Sequence, residues 1–124
     1  SPYVRSAMVV ASGRPFVAAV VELNEDAAGD WARRQGASVS TYAALAENDK
    51  VFQLIEGEVR AANDRRPTEH RILAFRILSQ PLRDELTPTG KIRRAVIERR
   101  YAELIDGMYA EHALTRRTAG VADA

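Results

Sequence analysis

The N-terminal part of the chain contains two continuous apolar runs that are separated by a short polar segment. Residues 7–11 and 16–23 are almost entirely apolar, and residues 12–15 (Ser-Gly-Arg-Pro) lie between them. Gly and Pro in such a connection are typical of a turn, so the pattern predicts a β-hairpin. Because neither run alternates between apolar and polar residues, we expect helices to cover the sheet.

Helical spacing of apolar residues predicts several helices after this hairpin. Asn24 can cap a first helix that ends at Gly36, and Ser40 can cap a short helical turn. Asn48 can cap a longer helix, whose apolar positions recur at steps of three and four residues. These positions are Val51, Phe52, Ile55, Val59 and Ala62.

A third strand and a last helix complete the predicted architecture. Pro67 ends the middle helix, and the partly alternating run 71–78 predicts a strand. After a turn-like segment at 86–90, apolar residues from Ile92 to Tyr109 recur at helical spacing and predict one amphipathic helix. Residues 110–124 are small and polar and predict a flexible tail. The predicted fold class is α+β, with a small three-stranded sheet (hairpin plus later strand) packed by helices.

Composition and charge exclude several classes of protein. The chain has 124 residues, enough for one domain, and its 18 basic and 17 acidic residues give a formal charge of +1. Such a balance creates no overall field that would hold the protein on nucleic acid or an anionic membrane. No apolar run approaches the ~20 residues of a membrane helix, and no secretory signal is recognisable at the start. The lack of an initiator Met leads us to expect a piece of a longer polypeptide.

Common catalytic and metal-binding motifs do not account for the sequence. The absence of cysteine excludes disulfides and thiolate zinc sites, and neither His70 nor His112 has a second ligand at helical spacing, so we predict no metal site. The pair at 90–91 is Gly-Lys, but Glu85 stands where a phosphate-binding P-loop needs its first Gly. A serine hydrolase motif of the form Gly-x-Ser-x-Gly is also missing.

The most informative residue is Lys91, which lies on a loop punctuated by Pro and Gly at the predicted start of the last helix. Arg93 and Arg94 add positive charge at this helix end, where the macrodipole disfavours cations and a bound anion would relieve the conflict. The chain uses Arg sixteen times and Lys twice, which favours a need for a compact charge at this position. An ordinary solvated lysine is the other interpretation of the same residues.

The segment 86–94 reads Leu-Thr-Pro-Thr-Gly-Lys-Ile-Arg-Arg and resembles the last core motif of the AMP-forming acyl-CoA synthetases, members of the adenylate-forming superfamily. It is similar to the long-chain fatty-acid branch in particular. Residues 9–16 resemble the hairpin of the same domain, and residues 72–78 resemble the strand before the motif loop. The resemblance covers residues 1–109 and implies the mobile C-terminal lid domain of such a ligase, followed by the tail at 110–124.

The resemblance also implies roles for individual residues. Lys91 would be the catalytic residue of adenylation, Thr89 and Gly90 would shape the loop at ATP and the adenylate, and Arg93 and Arg94 would contact phosphates of ATP or CoA. ATP, Mg²⁺ and the fatty acid would be bound mainly by a large N-terminal domain of the same polypeptide, with CoA as co-substrate. The small domain alone would then be inactive, and its location would be cytoplasmic, with any membrane association through other segments.

Two alternatives remain at the level of sequence. Gly90 stands where the long-chain branch more often has a bulkier residue, which leaves a ligase of aryl or amino acids open. The segment 91–100 carries five basic residues, Arg99 and Arg100 included, against one acidic residue, which permits a non-enzymatic module that binds an anion or nucleic acid. Aromatic residues for base stacking are not interleaved with these arginines, and the ligase interpretation predicts no nucleic-acid partner.

Overall fold

A computed structural model describes residues 1–111 and shows a three-stranded mixed sheet. Strand β1 (Val4–Val10) pairs antiparallel with β2 (Val17–Leu23), and β2 pairs in parallel with β3 (Ile72–Ile77). The predicted α+β fold with a hairpin and a later strand is therefore confirmed. Strand β1 begins three residues before the apolar run at 7–11 because Val4 pairs with Leu23 across the hairpin.

The parallel connection from β2 to β3 is made by helices, because parallel neighbours cannot be joined by a tight turn. Its elements are α1 (Glu25–Arg34), α2 (Tyr42–Ala46), α3 (Asp49–Asn63) and a 3-10 turn (Thr68–His70). Within residues 1–111, none of the helices has both the length and the apolar character needed to cross a membrane.

The capping residues of these helices agree with the sequence at two of three places. The Asn24 side chain accepts a hydrogen bond from the Ala27 N–H, and Asn48 caps α3 in the same way. The predicted cap at Ser40 is wrong, because the neighbouring Thr41 caps α2 by accepting a hydrogen bond from the Ala44 N–H at 3.1 Å. Serine and threonine are both good caps, so one-residue shifts between neighbours are easily missed.

The predicted single helix from Ile92 to Tyr109 is wrong in two respects. Ile92 forms an isolated antiparallel bridge with Leu86, so the first helical residues are those of α4 (Arg94–Arg100). Tyr101 then leaves the helical conformation at φ −109° and ψ 24°, and α5 covers residues 102–111. Residues 110 and 111 of the predicted tail are still helical, and residues 112–124, with His112, lie outside the described residues.

Two apolar cores lie on opposite faces of the sheet, because successive side chains of β2 alternate between them. Ala19, Val21 and Leu23 pack with buried residues of α1, α2 and α3. Ala18 and Val20 pack with the segment after β3 and with the two last helices. The buried residues of that second core in these later segments are Leu78, Leu82, Ile97, Ile105, Met108 and Tyr109.

Candidate functional site

Residues 86–92 form a short β-hairpin, here called the lysine hairpin, on the face of the sheet that α4 and α5 cover. Leu86 bridges Ile92, and the Thr87 N–H donates to the Lys91 carbonyl at 2.7 Å. The Gly90 N–H donates to the Thr87 carbonyl at 2.8 Å, and Gly90 has φ +85°. This is the pattern of a three-residue loop whose last residue takes the left-handed conformation, for which glycine is the natural choice.

Two threonine hydroxyls stiffen the lysine hairpin from inside. The Thr87 hydroxyl accepts a hydrogen bond from the Lys91 N–H at 3.0 Å and lies 3.1 Å from the Thr89 hydroxyl. Thr89, which is predicted to shape the loop, is therefore linked to the Lys91 backbone through the Thr87 hydroxyl. Sequence reasoning missed the role of Thr87, although its place opposite Lys91 follows once the loop is known to contain three residues.

The side chain of Lys91 is exposed and makes no hydrogen bond or ion pair with any side chain or carbonyl that the structure describes. Its backbone, in contrast, is held by both the N–H and the carbonyl. Lys91 lies three residues before the first residue of α4 and not on its first turn, since Arg93 is the residue that precedes the helix. The hairpin thus presents a free ammonium group on a fixed backbone.

The base of the lysine hairpin is fixed by Glu85, a buried residue. The Glu85 carboxylate accepts hydrogen bonds from the Arg83 N–H at 2.8 Å and from the Arg100 guanidinium at 2.7 Å. Burial raises the pKa of Glu85, but the hydrogen bonds from Arg83 and Arg100 outweigh burial and hold the pKa below its usual range. Sequence reasoning missed this pair because the two residues are fifteen positions apart.

The predicted phosphate-binding arginines differ in how free they are. The Arg94 guanidinium donates to the Val9 carbonyl at 2.7 Å and lies 3.7 Å from the Glu98 carboxylate. Arg93 and Arg99 are exposed, and neither guanidinium has a polar partner among residues 1–111. Arg100 is held by Glu85 and lies 3.6 Å from Asp84. Arg93 is therefore the predicted contact whose side chain can reach a ligand without breaking an internal bond.

Residues 1–111 contain no cluster of side chains that would hold a metal ion. In residues 1–111 no three histidine or acidic side chains are arranged to hold one, and His70 is exposed in the 3-10 turn.

Comparison with known families places this geometry in context. Residues 1–113 match the family described as AMP-binding enzyme C-terminal domain. The chain is 31% identical over 115 residues to the long-chain-fatty-acid–CoA ligase FadD15 of Mycobacterium tuberculosis, a match that covers 87% of this chain and 19% of the relative. It is 33% identical over 99 residues to long chain acyl-CoA synthetase 4 of Arabidopsis thaliana, with 76% and 15% covered.

A solved structure shows the same arrangement of elements. The didomain of carboxylic acid reductase from Segniliparus rugosus that comprises its A and PCP domains, in complex with AMP, superposes with a TM-score of 0.58. The sequences are 27% identical, and the superposition covers 97% of this chain and 15% of that one. The chain thus spans about a fifth or less of the length of the proteins that it matches.

Proposed function

The chain belongs to the AMP-binding enzyme C-terminal domain family, and from this membership we propose that it is the mobile lid of an ATP-dependent fatty acyl-CoA ligase in which Lys91 acts during adenylation. It is the C-terminal domain of an adenylate-forming enzyme, and the family uses ATP. The observation that carries the proposal for Lys91 is a free, exposed ammonium group on a hairpin whose backbone is held at both ends.

The chemistry of adenylation needs such a cation. A carboxylate oxygen attacks the α-phosphorus of ATP, a bond forms between them, and pyrophosphate leaves with the electrons of the bond that breaks. Both reactants are anionic, and negative charge accumulates on the phosphate oxygens in the transition state. A fixed lysine ammonium lowers this repulsion and stabilises the developing charge.

Lys91 and Arg93 are two exposed cationic side chains at this end of the domain. The hairpin lets the Lys91 side chain extend away from its own domain, and none of the acidic groups in residues 1–111 pairs with it. Arg93, two residues later, is also exposed and would add a second positive group near the phosphates. Together they form the part of this domain that we assign to ATP and the adenylate.

The identity of the acid is proposed from relatives. The two relatives named above are a long-chain-fatty-acid–CoA ligase and a long chain acyl-CoA synthetase, at 31% and 33% identity. A fatty acid is therefore the substrate that we assign, with CoA as the acyl acceptor. Its thiol loses a proton as the sulfur attacks the acyl carbon of the adenylate, and AMP leaves with the electrons of the carbon–oxygen bond that breaks. We assign the acyl pocket and the ATP cradle to an N-terminal adenylation domain of the same polypeptide, so the lid alone would be inactive.

The experiment is fatty-acid-dependent exchange of pyrophosphate into ATP by the full-length polypeptide, with Lys91→Ala compared with the wild type. Thioester formation from supplied acyl-adenylate is measured in parallel. We expect exchange to fall at least a hundredfold while thioester formation stays within a few fold, since the cation acts on the first step only.

The matched control is Lys50→Ala, because Lys50 is the other lysine of the chain and is exposed. Among residues 1–111, its ammonium group donates only to the Gln35 carbonyl, at 3.3 Å. Exchange in this control should equal that of the wild type. Unchanged exchange in Lys91→Ala would refute the role of Lys91, and activity with aryl or amino acids in place of fatty acids would refute the substrate.

A further inference from the structure

We propose that Glu85 and Arg100 are positioning residues for Lys91, an inference that rests on the proposed function. Glu85 is 4% exposed, and its polar atoms reach three separate parts of the chain. Its carboxylate holds the Arg83 N–H before the lysine hairpin and the Arg100 guanidinium at the end of α4. Its carbonyl accepts a hydrogen bond from the Arg93 N–H at 2.7 Å, just after the hairpin.

These bonds join the two ends of the lysine hairpin to the helix that follows it. Glu85 lies immediately before the Leu86–Ile92 bridge, and Arg93 lies immediately after it. Further along the hairpin, the Thr87 N–H and hydroxyl bond to the backbone of Lys91. The hydrogen bonds of Glu85 thus hold the base of the lysine hairpin, and those of Thr87 hold the backbone of the residue that carries the ammonium group.

A gain in stability does not by itself explain the ion pair between the buried Glu85 carboxylate and Arg100. Burial of a carboxylate has a desolvation cost that an ion pair often only offsets, and apolar substitutes are frequently as stable. Arg100 is itself 46% exposed, so solvent weakens the attraction between the two charges. What the pair supplies is a defined geometry, because its hydrogen bonds have direction and an apolar contact does not.

The position of the lysine hairpin matters because the rate of adenylation depends on the distance between the Lys91 ammonium group and the reacting phosphate. Small displacements of a catalytic group, of about 1 Å, can lower a rate on the order of a hundredfold. If the pair is broken, the lysine hairpin keeps its internal hydrogen bonds and the bond from the Arg93 N–H to the Glu85 carbonyl, but it loses the link between its base and the end of α4. Lys91 would then remain present and charged but would be misplaced when the lid closes.

The test uses the full-length ligase and the exchange assay. Glu85→Gln and Arg100→Met should each lower the rate constant of pyrophosphate exchange by roughly 10–100-fold, with little change in KM for ATP and in thioester formation from acyl-adenylate. Arg100→Lys should recover part of the loss, since an ammonium group can still pair with Glu85. The matched control is Asp84→Asn, which removes an exposed carboxylate 3.6 Å from the same guanidinium and should leave exchange unchanged.

A double variant separates positioning from a general loss of structure. In the Lys91→Ala background, Glu85→Gln should cause no further loss of exchange, because the two residues act through one group. Arg100→Met changes a half-exposed side chain and provides the same test if Glu85→Gln does not fold. Additive losses, equal losses in both half-reactions, or normal exchange in Glu85→Gln would overturn the inference. Normal exchange in Lys91→Ala would instead overturn the proposed function.

Discussion

The side-chain amide of Asn63 and the backbone of Ile72 exchange two hydrogen bonds. The Ile72 N–H donates to Asn63 Oδ1 at 2.8 Å, and Asn63 Nδ2 donates to the Ile72 carbonyl at 2.9 Å. The last residue of α3 is thereby joined to the first residue of β3, as if the amide were part of a neighbouring strand. One side chain thus supports the start of the parallel strand, where Ile72 also pairs with Val17 of β2.

Asn63→Asp should destabilise the chain, because the donor of this pair becomes an acceptor that faces the Ile72 carbonyl. A lost hydrogen bond with an unsatisfied partner costs about 1–3 kcal/mol in the free energy of unfolding, which urea unfolding measures. The matched control is Asn24→Asp, where the side chain only accepts from the Ala27 N–H. A carboxylate serves there equally well at a helix start, so equal losses in both variants would contradict the role of the amide.

Gly90→Ala should lower both stability and adenylation. Gly90 has φ +85°, and an alanine there would cost about 1–2 kcal/mol in the free energy of unfolding or force the lysine hairpin into another turn. In the full-length ligase, we expect pyrophosphate exchange to fall together with that loss.

Gly57→Ala is the control for this change. Gly57 lies inside α3, and a Cβ added to it meets no atom within 4 Å. Alanine favours a helix interior by about 0.5–1 kcal/mol, so this variant should be more stable than the wild type. A Gly90→Ala protein as stable and active as the wild type would show that the left-handed conformation is not needed.

Tyr42→Phe should remove the acceptor of the buried Leu23 N–H at the end of β2. The phenolic oxygen lies 3.1 Å from this nitrogen, and leaving it unpaired costs about 1–3 kcal/mol in the free energy of unfolding. Tyr3→Phe, whose hydroxyl has no partner in residues 1–111, is the control and should change stability little.

Tyr42 also makes the free energy of unfolding depend on pH in the alkaline range. Burial raises the pKa of Tyr42 to about 12 in the folded protein, whereas an unfolded tyrosine ionises near pH 10. The stabilising contribution is therefore complete below about pH 10 and is lost as the pH rises towards 12. Burial also raises the pKa of Tyr101 and of Tyr109. Tyr42→Phe should therefore remove one late-ionising group from the phenolate absorbance titration and make the alkaline decline of stability shallower, without abolishing it.

The Glu85 carboxylate makes stability depend on pH in the acid range, where the free energy of unfolding falls as the pH decreases. Burial opposes the charged carboxylate, but the hydrogen bonds from Arg83 and Arg100 hold the pKa of Glu85 below its usual range. Its contribution is complete above the ordinary glutamate value of about 4.3 and is lost as the pH falls through the lower, folded value. Asp84 and Tyr101 also lie near this group. Glu85→Gln should flatten the acid limb of a stability curve, and Asp84→Asn should not.

Local signals allowed much of the fold to be predicted from sequence. The Gly-Pro turn after β1 and the asparagine at the start of α3 act on their immediate neighbours, and both predictions are confirmed. The continuous apolar character of β2 correctly indicated a covered sheet. The parallel pairing of β2 with β3 depends on contacts about 55 residues apart, which periodicity does not encode.

The candidate site shows where local reasoning fails. Ile92, Val96 and Ile97 have helical spacing, but the bridge from Leu86 takes Ile92 into the lysine hairpin. The Pro and Gly beside Lys91 and the positive charge clustered at the start of the predicted helix drew attention to this lysine. Glu85 and Arg100 are fifteen positions apart, and their contact depends on how α4 packs in the folded chain. Residue type and spacing therefore point to Lys91, whose role stays a prediction, and they do not reveal the contact between Glu85 and Arg100.

The alternation of β2 side chains between two cores also affects how the sequence of this domain can change over evolutionary time. Ala19, Val21 and Leu23 belong to the core of α1, α2 and α3, whereas Ala18 and Val20 belong to the core beneath the lysine hairpin. A volume change in the first core can be compensated by its own neighbours without displacing Lys91. Selection on catalysis would then act strongly on one half of the domain and leave the other free to drift, so homologues should diverge faster in α1 to α3 than around the hairpin.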